Sequence, residues 1–260
     1  MGIQKNYVLG FVRLIAIIVW IVCMPLIFMV AQLLRIPGYT KLVPLFHAGT
    51  CRILGIETIV SGDMSNAKPT LFVSNHVSYI DIFVLGQIPA FFVAKSEVSG
   101  WPVFGKLAEF QNTLFIERNP RKAKSQLAIL KGHLERGNSL TFFPEGTSTN
   151  GVTVKPFKST LFESANIGDD FKAVPIQAVT IVYTHHSGMK IDNQAVRDHY
   201  AWYAKMPFLS HFLGLMPLKK VCAKIHYHPV CYLEDFSSRK ECADHCQRLV
   251  AMTMSELLRE

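Results

Sequence analysis

The sequence lacks the motifs by which most proteins recognise nucleic acids, namely zinc-finger spacing, a basic region followed by heptads, and the aromatic ribonucleoprotein motif. Acidic residues are also few, because 19 Asp and Glu stand against 27 Lys and Arg, for a formal charge of +8 in a chain that is 50% hydrophobic. Such a chain suits an anionic partner, either phospholipid headgroups or an acidic carrier protein. We therefore predict contact with membrane lipids or an acidic substrate, and none with nucleic acid.

The cysteines form no recognisable disulfide framework. The six are scattered along the chain, and Cys23 lies inside an apolar segment where a disulfide would contribute little. This usage is typical of free thiols in a reducing compartment. Cys242, His245 and Cys246 resemble metal ligands in type, but no second ligand pair accompanies them, and a structural zinc ion takes four ligands. We therefore interpret these three as helix-face residues and predict no metal site.

Motifs of other enzyme classes are incomplete. Residues 100–106 imitate a phosphate-binding loop, but Leu107 replaces the Ser or Thr that would hold magnesium. The Gly-x-Ser-x-Gly nucleophile elbow of serine hydrolases is missing. His185 and His186 are adjacent, yet no nearby carboxylate or third ligand supports a metal site. The sequence thus predicts neither a nucleotide-binding protein nor a serine hydrolase, and no metal or other cofactor.

The N-terminal segment, residues 7–34, is the most hydrophobic part of the chain. After Arg13 it continues without a charge for long enough to cross a bilayer, since a spanning helix needs about 20 apolar residues. Pro25 can kink this segment, and basic residues flank both of its ends, so the positive-inside rule gives no orientation. The segment either spans the bilayer or lies within one leaflet.

Residues 41–54 form a second segment with apolar residues at helical spacing. They predict either an amphipathic helix in the membrane interface or an ordinary helix packed on the domain. We predict that residues 1–62 anchor the chain in the membrane and that residues 63–260 form the catalytic domain.

Beyond residue 70 the pattern changes to short apolar runs separated by helix-like stretches. The runs predict strands at residues 71–73, 91–93, 113–116, 140–143, 174–179 and 224–228. Helices are predicted over residues 121–136, 197–203 and 239–258, the first ending at Gly137. This alternation indicates an α/β fold, a mostly covered mixed sheet with flanking helices, preceded by the N-terminal membrane-embedded helical segment.

A histidine and a carboxylate follow the first predicted strand, where open α/β sheets place functional groups. His76 and Asp81 are five residues apart, so a tight turn or helix start would return the carboxylate to one imidazole nitrogen. The carboxylate would then fix the tautomer and stabilise the protonated ring, which makes His76 a general base for an alcohol. An isolated pair of this kind is more often a hydrogen-bonded core histidine beside a helix cap.

A second polar loop, residues 143–147 (FPEGT), follows the strand predicted at residues 140–143. It combines a carboxylate, a glycine turn and a hydroxyl, and it can present backbone N–H groups and Thr147 to an anionic group. Taken alone, it is also an ordinary exit from a strand.

Four segments in order resemble the blocks of the glycerolipid acyltransferases, most closely the 1-acylglycerol-3-phosphate acyltransferase family. They are Asn75-His76 with Asp81, residues 113–118 (TLFIER), residues 143–147 (FPEGT) and residues 174–176 (VPI). The resemblance implies direct transfer of a fatty acyl group from a thioester, acyl-carrier protein or acyl-CoA, to the hydroxyl of a lysophospholipid. It implies 1-acyl-sn-glycerol-3-phosphate as the first acceptor to expect, and a site on the cytoplasmic face of the cell membrane.

The resemblance also assigns roles to residues. His76 is expected to be the catalytic base and Asp81 its orienting acid. Arg118 is expected to contact phosphate, which its forked guanidinium suits, and Lys95 either lines the same cleft or is a solvated surface lysine. The residues expected to help shape the glycerophosphate site are Glu145, Gly146 and Thr147.

The chain departs from the family pattern at Ser148, where arginine usually follows the threonine of the third block. A cation is therefore missing unless Lys155 or Lys158 folds back to supply it. A serine variant of this kind resembles enzymes that acylate lyso-ornithine lipid, which is the alternative acceptor. A catalytically silent, membrane-anchored lipid-binding protein is the alternative of another class, but it leaves His76 without a role.

Overall fold

The fold is a central sheet flanked by helices, and the computed structural model describes residues 3–117, 119–167 and 174–260. The strands are β1 (Ile56–Ser61), β2 (Leu71–Ser74), β3 (Phe91–Lys95), β4 (Leu114–Ile116), β5 (Leu140–Phe142), β6 (Ile176–His186), β7 (Met189–Lys190) and β8 (Val221–Cys231). The helices are α1 (Tyr7–Leu33), α2 (Leu42–Leu54), α3 (Asp81–Leu85), α4 (Phe104–Phe110), α5 (Ala123–Glu135), α6 (Gln194–Arg197), α7 (Phe208–Leu215) and α8 (Arg239–Arg259). Short 3₁₀ segments are Tyr39–Lys41, Ser96–Gly100, Pro120–Lys122, Ser159–Ala165 and Leu233–Asp235.

The sheet is mixed. Its strand order is β1-β8-β6-β2-β5-β3-β4, with β7 beside β6. Strands β6, β2, β5, β3 and β4 run parallel, whereas β8 runs antiparallel to β6 and carries β1 parallel to itself. Because β2 and β5 are parallel neighbours, the loops that follow them meet at one edge in the middle of the sheet.

Both faces of the sheet are covered by apolar side chains. On β2, Phe72 faces one core, whereas Leu71 and Val73 face the other, as the alternation along a strand requires. Helices α2 and α3 supply buried residues to the first core, and α5 and α8 supply them to the second. The predicted α/β fold with a mostly covered mixed sheet is therefore confirmed.

Helix α1 packs lengthwise on the rest of the chain and continues through Pro25. Its buried residues recur at helical spacing, and they are Gly10, Arg13, Ile17, Met24, Phe28 and Ala31. The Arg13 guanidinium donates to Leu218 O, and the Asn6 N–H donates to Pro217 O at 2.9 Å. The opposite side is apolar and exposed, as Phe11 (66%) illustrates. Within the described residues, α1 is the one helix long and apolar enough to cross a membrane.

The helix predicted over residues 197–203 is wrong beyond Arg197, where α6 ends. The Trp202 N–H instead donates to Val77 O at 3.0 Å, so this segment is held across the loop after β2 by a tertiary contact. Strand β1 and helix α7 were not predicted. The division between residues 62 and 63 stays a prediction, and β1, on its N-terminal side, is a strand of the sheet.

Candidate active site

The candidate site lies where the loops after β2 and β5 meet. Asn75, the first residue after β2, ties this edge together. Its side-chain amide donates to Ile181 O and accepts from Ile181 N, both at 2.9 Å. The chain then turns and enters α3 at Asp81.

This turn brings His76 and Asp81 together. His76 Nδ1 lies 2.8 Å from Asp81 Oδ2, so the helix start after β2 has the geometry that the five-residue spacing predicted. The carboxylate accepts the proton on Nδ1 and leaves the lone pair of the imidazole on Nε2. The His76 side chain is 19% exposed, whereas the Asp81 side chain is fully buried. The pair therefore offers a base at the surface supported by an acid in the interior.

The Asp81 carboxylate is satisfied by protein donors on both oxygens. Besides the imidazole, Oδ2 accepts the Val77 N–H at 2.6 Å and the Ser78 N–H at 2.9 Å. Oδ1 accepts the Tyr183 hydroxyl at 2.8 Å, and burial, followed by the charge of Asp81, raises the pKa of Tyr183 well above its ordinary value. Tyr183 thus stays a donor, and four hydrogen bonds compensate the buried negative charge.

The imidazole ring of His76 is held on one face by Phe143. Their ring centroids are 4.0 Å apart, with an interplanar angle of 14°. The backbone carbonyl of His76 accepts the Thr149 N–H at 2.9 Å. The stacking holds the ring plane and the backbone contact holds the residue in place, while Asp81 fixes the tautomer. A base acting on one proton requires such positioning.

Glu145 joins the loop after β5 to the loop that carries His76. It is 3% exposed, and its two oxygens accept the His76 N–H and the Lys155 N–H, each at 2.7 Å. Burial raises the pKa of Glu145 to about 7, against the opposing effect of these two hydrogen bonds. The next residue, Gly146, has a φ of 70°, which closes a turn that other residues adopt only with strain.

The other residues assigned by resemblance are more widely spread. Lys95 is half-buried at the end of β3, opposite Ile116 of β4. Thr147 is exposed on the loop after Gly146. Arg118 lies outside the described residues. The substrate-binding roles of Lys95, Arg118, Glu145, Gly146 and Thr147, and the catalytic roles of His76 and Asp81, stay predictions.

Ser148 faces the protein interior. It is buried, and its hydroxyl donates to Trp202 O in the segment that crosses the site. The side chains of Lys155 and Lys158 are exposed, and the Lys155 N–H is already used by Glu145. The position where the family usually has arginine is therefore occupied by a neutral, internally bonded hydroxyl.

An apolar pocket, lined in part by residues next to Asp81 in the chain, was not predicted from the sequence. The pocket opens to solvent, and the empty space in it, including that open region, is about 810 Å³. Representative lining residues are Met24 and Phe28 of α1, Phe46 of α2, Tyr79 and Phe83 near Asp81, and Trp101. The N-terminal helices thus form one wall of the pocket, and the chain around Asp81 forms another.

One polar pair lies in the pocket wall. His47 Nε2 lies 2.7 Å from Gln111 Oε1, and burial lowers the pKa of His47 to about 4, so its ring is neutral at pH 7. The ring packs on Gly86, where an added Cβ would lie 2.3 Å from His47 Cγ. Gly86 therefore allows α2 to approach the end of α3.

Comparisons with known proteins agree with this arrangement. A family model described as Acyltransferase matches residues 55–182. The lyso-ornithine lipid O-acyltransferase of Rhodobacter capsulatus is 36% identical over 84% of this chain and 79% of its own length. The 1-acyl-sn-glycerol-3-phosphate acyltransferase of Neisseria gonorrhoeae is 28% identical over 72% of this chain and 69% of its own.

The fold has a solved counterpart. The crystal structure of a 1-acyl-sn-glycerophosphate acyltransferase from Thermotoga maritima superposes with a TM-score of 0.72 at 19% identity, covering 97% of this chain and 95% of that one. The likeness to that structure extends to the fold, and the sequence matches extend to the family. The chain therefore belongs to the acyltransferase family.

Proposed function

We propose that this acyltransferase uses His76 as a general base to esterify the hydroxyl of a lysolipid, and that its preferred acceptor is lyso-ornithine lipid. The observation that carries the chemistry is the 2.8 Å contact between His76 Nδ1 and the buried Asp81 carboxylate. It puts a lone pair on Nε2, which is the atom that must take a proton from an alcohol.

The reaction balances with these two residues and the two substrates. Nε2 of His76 takes the hydroxyl proton while the hydroxyl oxygen attacks the thioester carbonyl, and a C–O bond forms. The adduct collapses, the C–S bond breaks, and the imidazolium gives its proton to the departing thiolate. Asp81 stays ionised throughout and stabilises the imidazolium. The products are an ester and a free thiol, without a covalent acyl-enzyme.

The apolar pocket supports a lipid substrate. Its lining includes Tyr79 and Phe83, which lie two residues to either side of Asp81 in the chain. Each buried CH₂ group contributes about 0.8 kcal/mol of transfer free energy, which a long acyl chain sums to a large binding contribution. The apolar lining of the pocket therefore favours contact with an acyl chain, either of the donor or of the lysolipid.

The acceptor preference rests on the charge around Ser148. A phosphomonoester is a multiply charged anion, and its recognition favours arginine, whereas the neutral Ser148 hydroxyl is bound to Trp202 O. A zwitterionic lyso-ornithine headgroup carries no net charge and makes less demand for an added cation. The relative from Rhodobacter capsulatus supports the same acceptor. The second candidate is 1-acyl-sn-glycerol-3-phosphate, favoured by Arg118 through the resemblance and by the relative from Neisseria gonorrhoeae.

The structure also supports a particular placement at the membrane. The buried face of α1 runs along most of the helix, from Gly10 to Ala31, so the catalytic fold lies beside it. A helix packed in this way would carry polar protein surface into the hydrocarbon if it crossed the bilayer, which is costly. We expect α1 to lie within the cytoplasmic leaflet with its exposed apolar side in lipid.

A panel of lysolipids with acyl-carrier-protein and CoA thioesters, given to the purified full-length chain, tests the proposal. We expect acylation of lyso-ornithine lipid, and a loss of roughly 10²- to 10⁴-fold in His76→Ala. Acylation of 1-acyl-sn-glycerol-3-phosphate alone would refute the acceptor. Full turnover by a folded His76→Ala chain would refute the role of His76 as the general base. If no lysolipid gave a product, the catalytically silent lipid-binding protein would be favoured.

Ser148→Arg separates the two acceptors. Because Ser148 is buried, the comparison applies to a Ser148→Arg chain whose circular dichroism and thermal midpoint match those of wild type. In that chain an added guanidinium should be tolerated or favourable with a phosphomonoester, whereas with a zwitterion it places an unpaired charge at the site and activity should fall. Ser148→Ala is the matched control, since it removes only the hydrogen bond to Trp202 O. Equal rates for all three chains on both lysolipids would show that residue 148 does not influence the headgroup.

A further inference from the structure

Three cysteines from two different elements meet on the side of the sheet that α8 covers. Cys231 ends β8, and Cys242 and Cys246 lie one turn apart on α8. Their sulfur atoms all lie within 4.8 Å of one another. Cys242 and Cys246 are fully buried, whereas Cys231 is half-buried. The sequence placed Cys242, His245 and Cys246 together without a second ligand pair, and the fold brings Cys231 to Cys242 and Cys246.

We propose that Cys231, Cys242 and Cys246 form a three-thiolate site for Zn²⁺. Zinc binds thiolate sulfur at about 2.3 Å in tetrahedral geometry, which places ligand sulfurs roughly 3.8 Å apart. The three sulfurs lie within about 1 Å of that spacing, so small side-chain rotations would close the site around an ion.

The surroundings of the sulfurs suit a soft cation. Cys242 is the fourth residue of α8, a helix of 21 residues whose N-terminus favours negative charge nearby. Thiolate ligands select zinc over the hard ions magnesium and calcium. In the described part of the chain, no fourth His, Cys, Asp or Glu converges with these sulfurs. The fourth position would therefore be taken by water, entering beside the half-buried Cys231.

The site is separate from the catalytic one. Cys231 pairs with Ile176, and Ile176 pairs with Leu71 at the start of β2, whereas His76 follows the other end of β2. A bound ion would join the end of β8 to α8 and would act on stability, not on the transfer reaction. Filling of core space by small thiols explains Cys242 and Cys246. The Cys231 thiol donates to Ile176 O at 3.7 Å, a weak hydrogen bond that metal binding would replace.

The test is reconstitution of the full-length chain, purified under reducing conditions, with Zn²⁺ followed by removal of excess metal. We expect one zinc per chain by mass spectrometry, a higher thermal midpoint, and a thiolate-to-metal charge-transfer band when Co²⁺ replaces Zn²⁺. Cys242→Ser and Cys246→Ser should lose the metal, whereas the control Cys23→Ser, on the exposed side of α1, should keep it.

Alkylation of the wild-type chain gives a measurement that needs no variant. Bound Zn²⁺ should protect the half-buried Cys231 from a maleimide and leave the exposed Cys23 reactive. Zinc-free wild type after reconstitution would overturn the proposal. So would equal zinc in wild type and in both Ser variants, or alkylation of Cys231 at the same rate with and without Zn²⁺.

Discussion

Asp81→Asn isolates the charge of the Asp81 carboxylate, because the structure can hold asparagine in nearly the same place. Asp81 Oδ2 accepts three hydrogen bonds and Oδ1 accepts one, from the Tyr183 hydroxyl. Asparagine keeps an oxygen at the first position and places its NH₂ group toward Tyr183, whose hydroxyl can rotate to accept. The substitution therefore removes the negative charge and retains the hydrogen-bonded frame.

The magnitude follows from what the charge does during transfer. The imidazolium of His76 forms in every turnover. In Asp81→Asn it lacks a charge-assisted hydrogen bond worth about 1.5–3 kcal/mol, which corresponds to roughly 10- to 150-fold in rate. The whole contribution of a positioned base, about 10²- to 10⁴-fold, limits the effect from above. We expect kcat to fall by roughly 10- to 150-fold, with the KM for the lysolipid little changed, since Asp81 is buried below the base.

Thiol release from the acyl thioester, followed in steady state, measures both constants, and circular dichroism checks the fold. Tyr183→Phe is the matched control, because it removes the donor to Oδ1 and keeps the carboxylate beside His76. We expect it to cost less than about tenfold in kcat. A folded Asp81→Asn chain with more than a third of wild-type kcat would refute the orienting role. Equal losses of kcat in the two variants would show that the hydrogen bonds to Asp81, and not its charge, cause the effect.

Three further predictions concern stability and membrane binding. Burial raises the pKa of Glu145 from 4.5 to about 7, so the stability that its protonated form contributes is present below pH 4.5 and is lost as the pH rises through about 7. Glu145→Gln should remove this dependence from a plot of thermal midpoint against pH. Gly86→Ala forces a Cβ to within 2.3 Å of His47 Cγ and should cost about 1–3 kcal/mol in unfolding free energy, whereas Gly100→Ala, with nothing within 4 Å, should cost little. Val19→Glu on the exposed side of α1 should reduce vesicle flotation at least tenfold without lowering the thermal midpoint, and unchanged flotation would refute the in-plane placement.

The sequence predicted the parts of the fold whose cause is local. The apolar runs at β2, β3, β4 and β5 lie within one to two residues of their observed bounds, because buried parallel strands need continuous apolar side chains. The His76–Asp81 pair could be predicted for the same reason, since a spacing of five residues and a helix start bring the two groups together.

Contacts between distant segments could not be predicted from the sequence. Tyr183 reaches Asp81 from 102 residues away, and nothing in its neighbourhood in the sequence marks it as a partner of a carboxylate. The same holds for Trp202. Its N–H donates to the loop after β2, in a segment where the sequence predicted a helix. The apolar pocket is likewise a product of packing, because α1 and α2 form a wall only once they have docked.

The loop after β5 holds the backbone of His76 from both sides. Glu145 Oε1 accepts the His76 N–H, and the Thr149 N–H donates to the His76 carbonyl. Between these two anchors lies the exposed Thr147, which is expected to help shape the headgroup site. A displacement of this loop by a ligand would therefore displace the base as well. Acceptor binding and proton abstraction therefore depend on the same loop. A lysolipid that fits this loop poorly should have a lower turnover as well as a lower affinity.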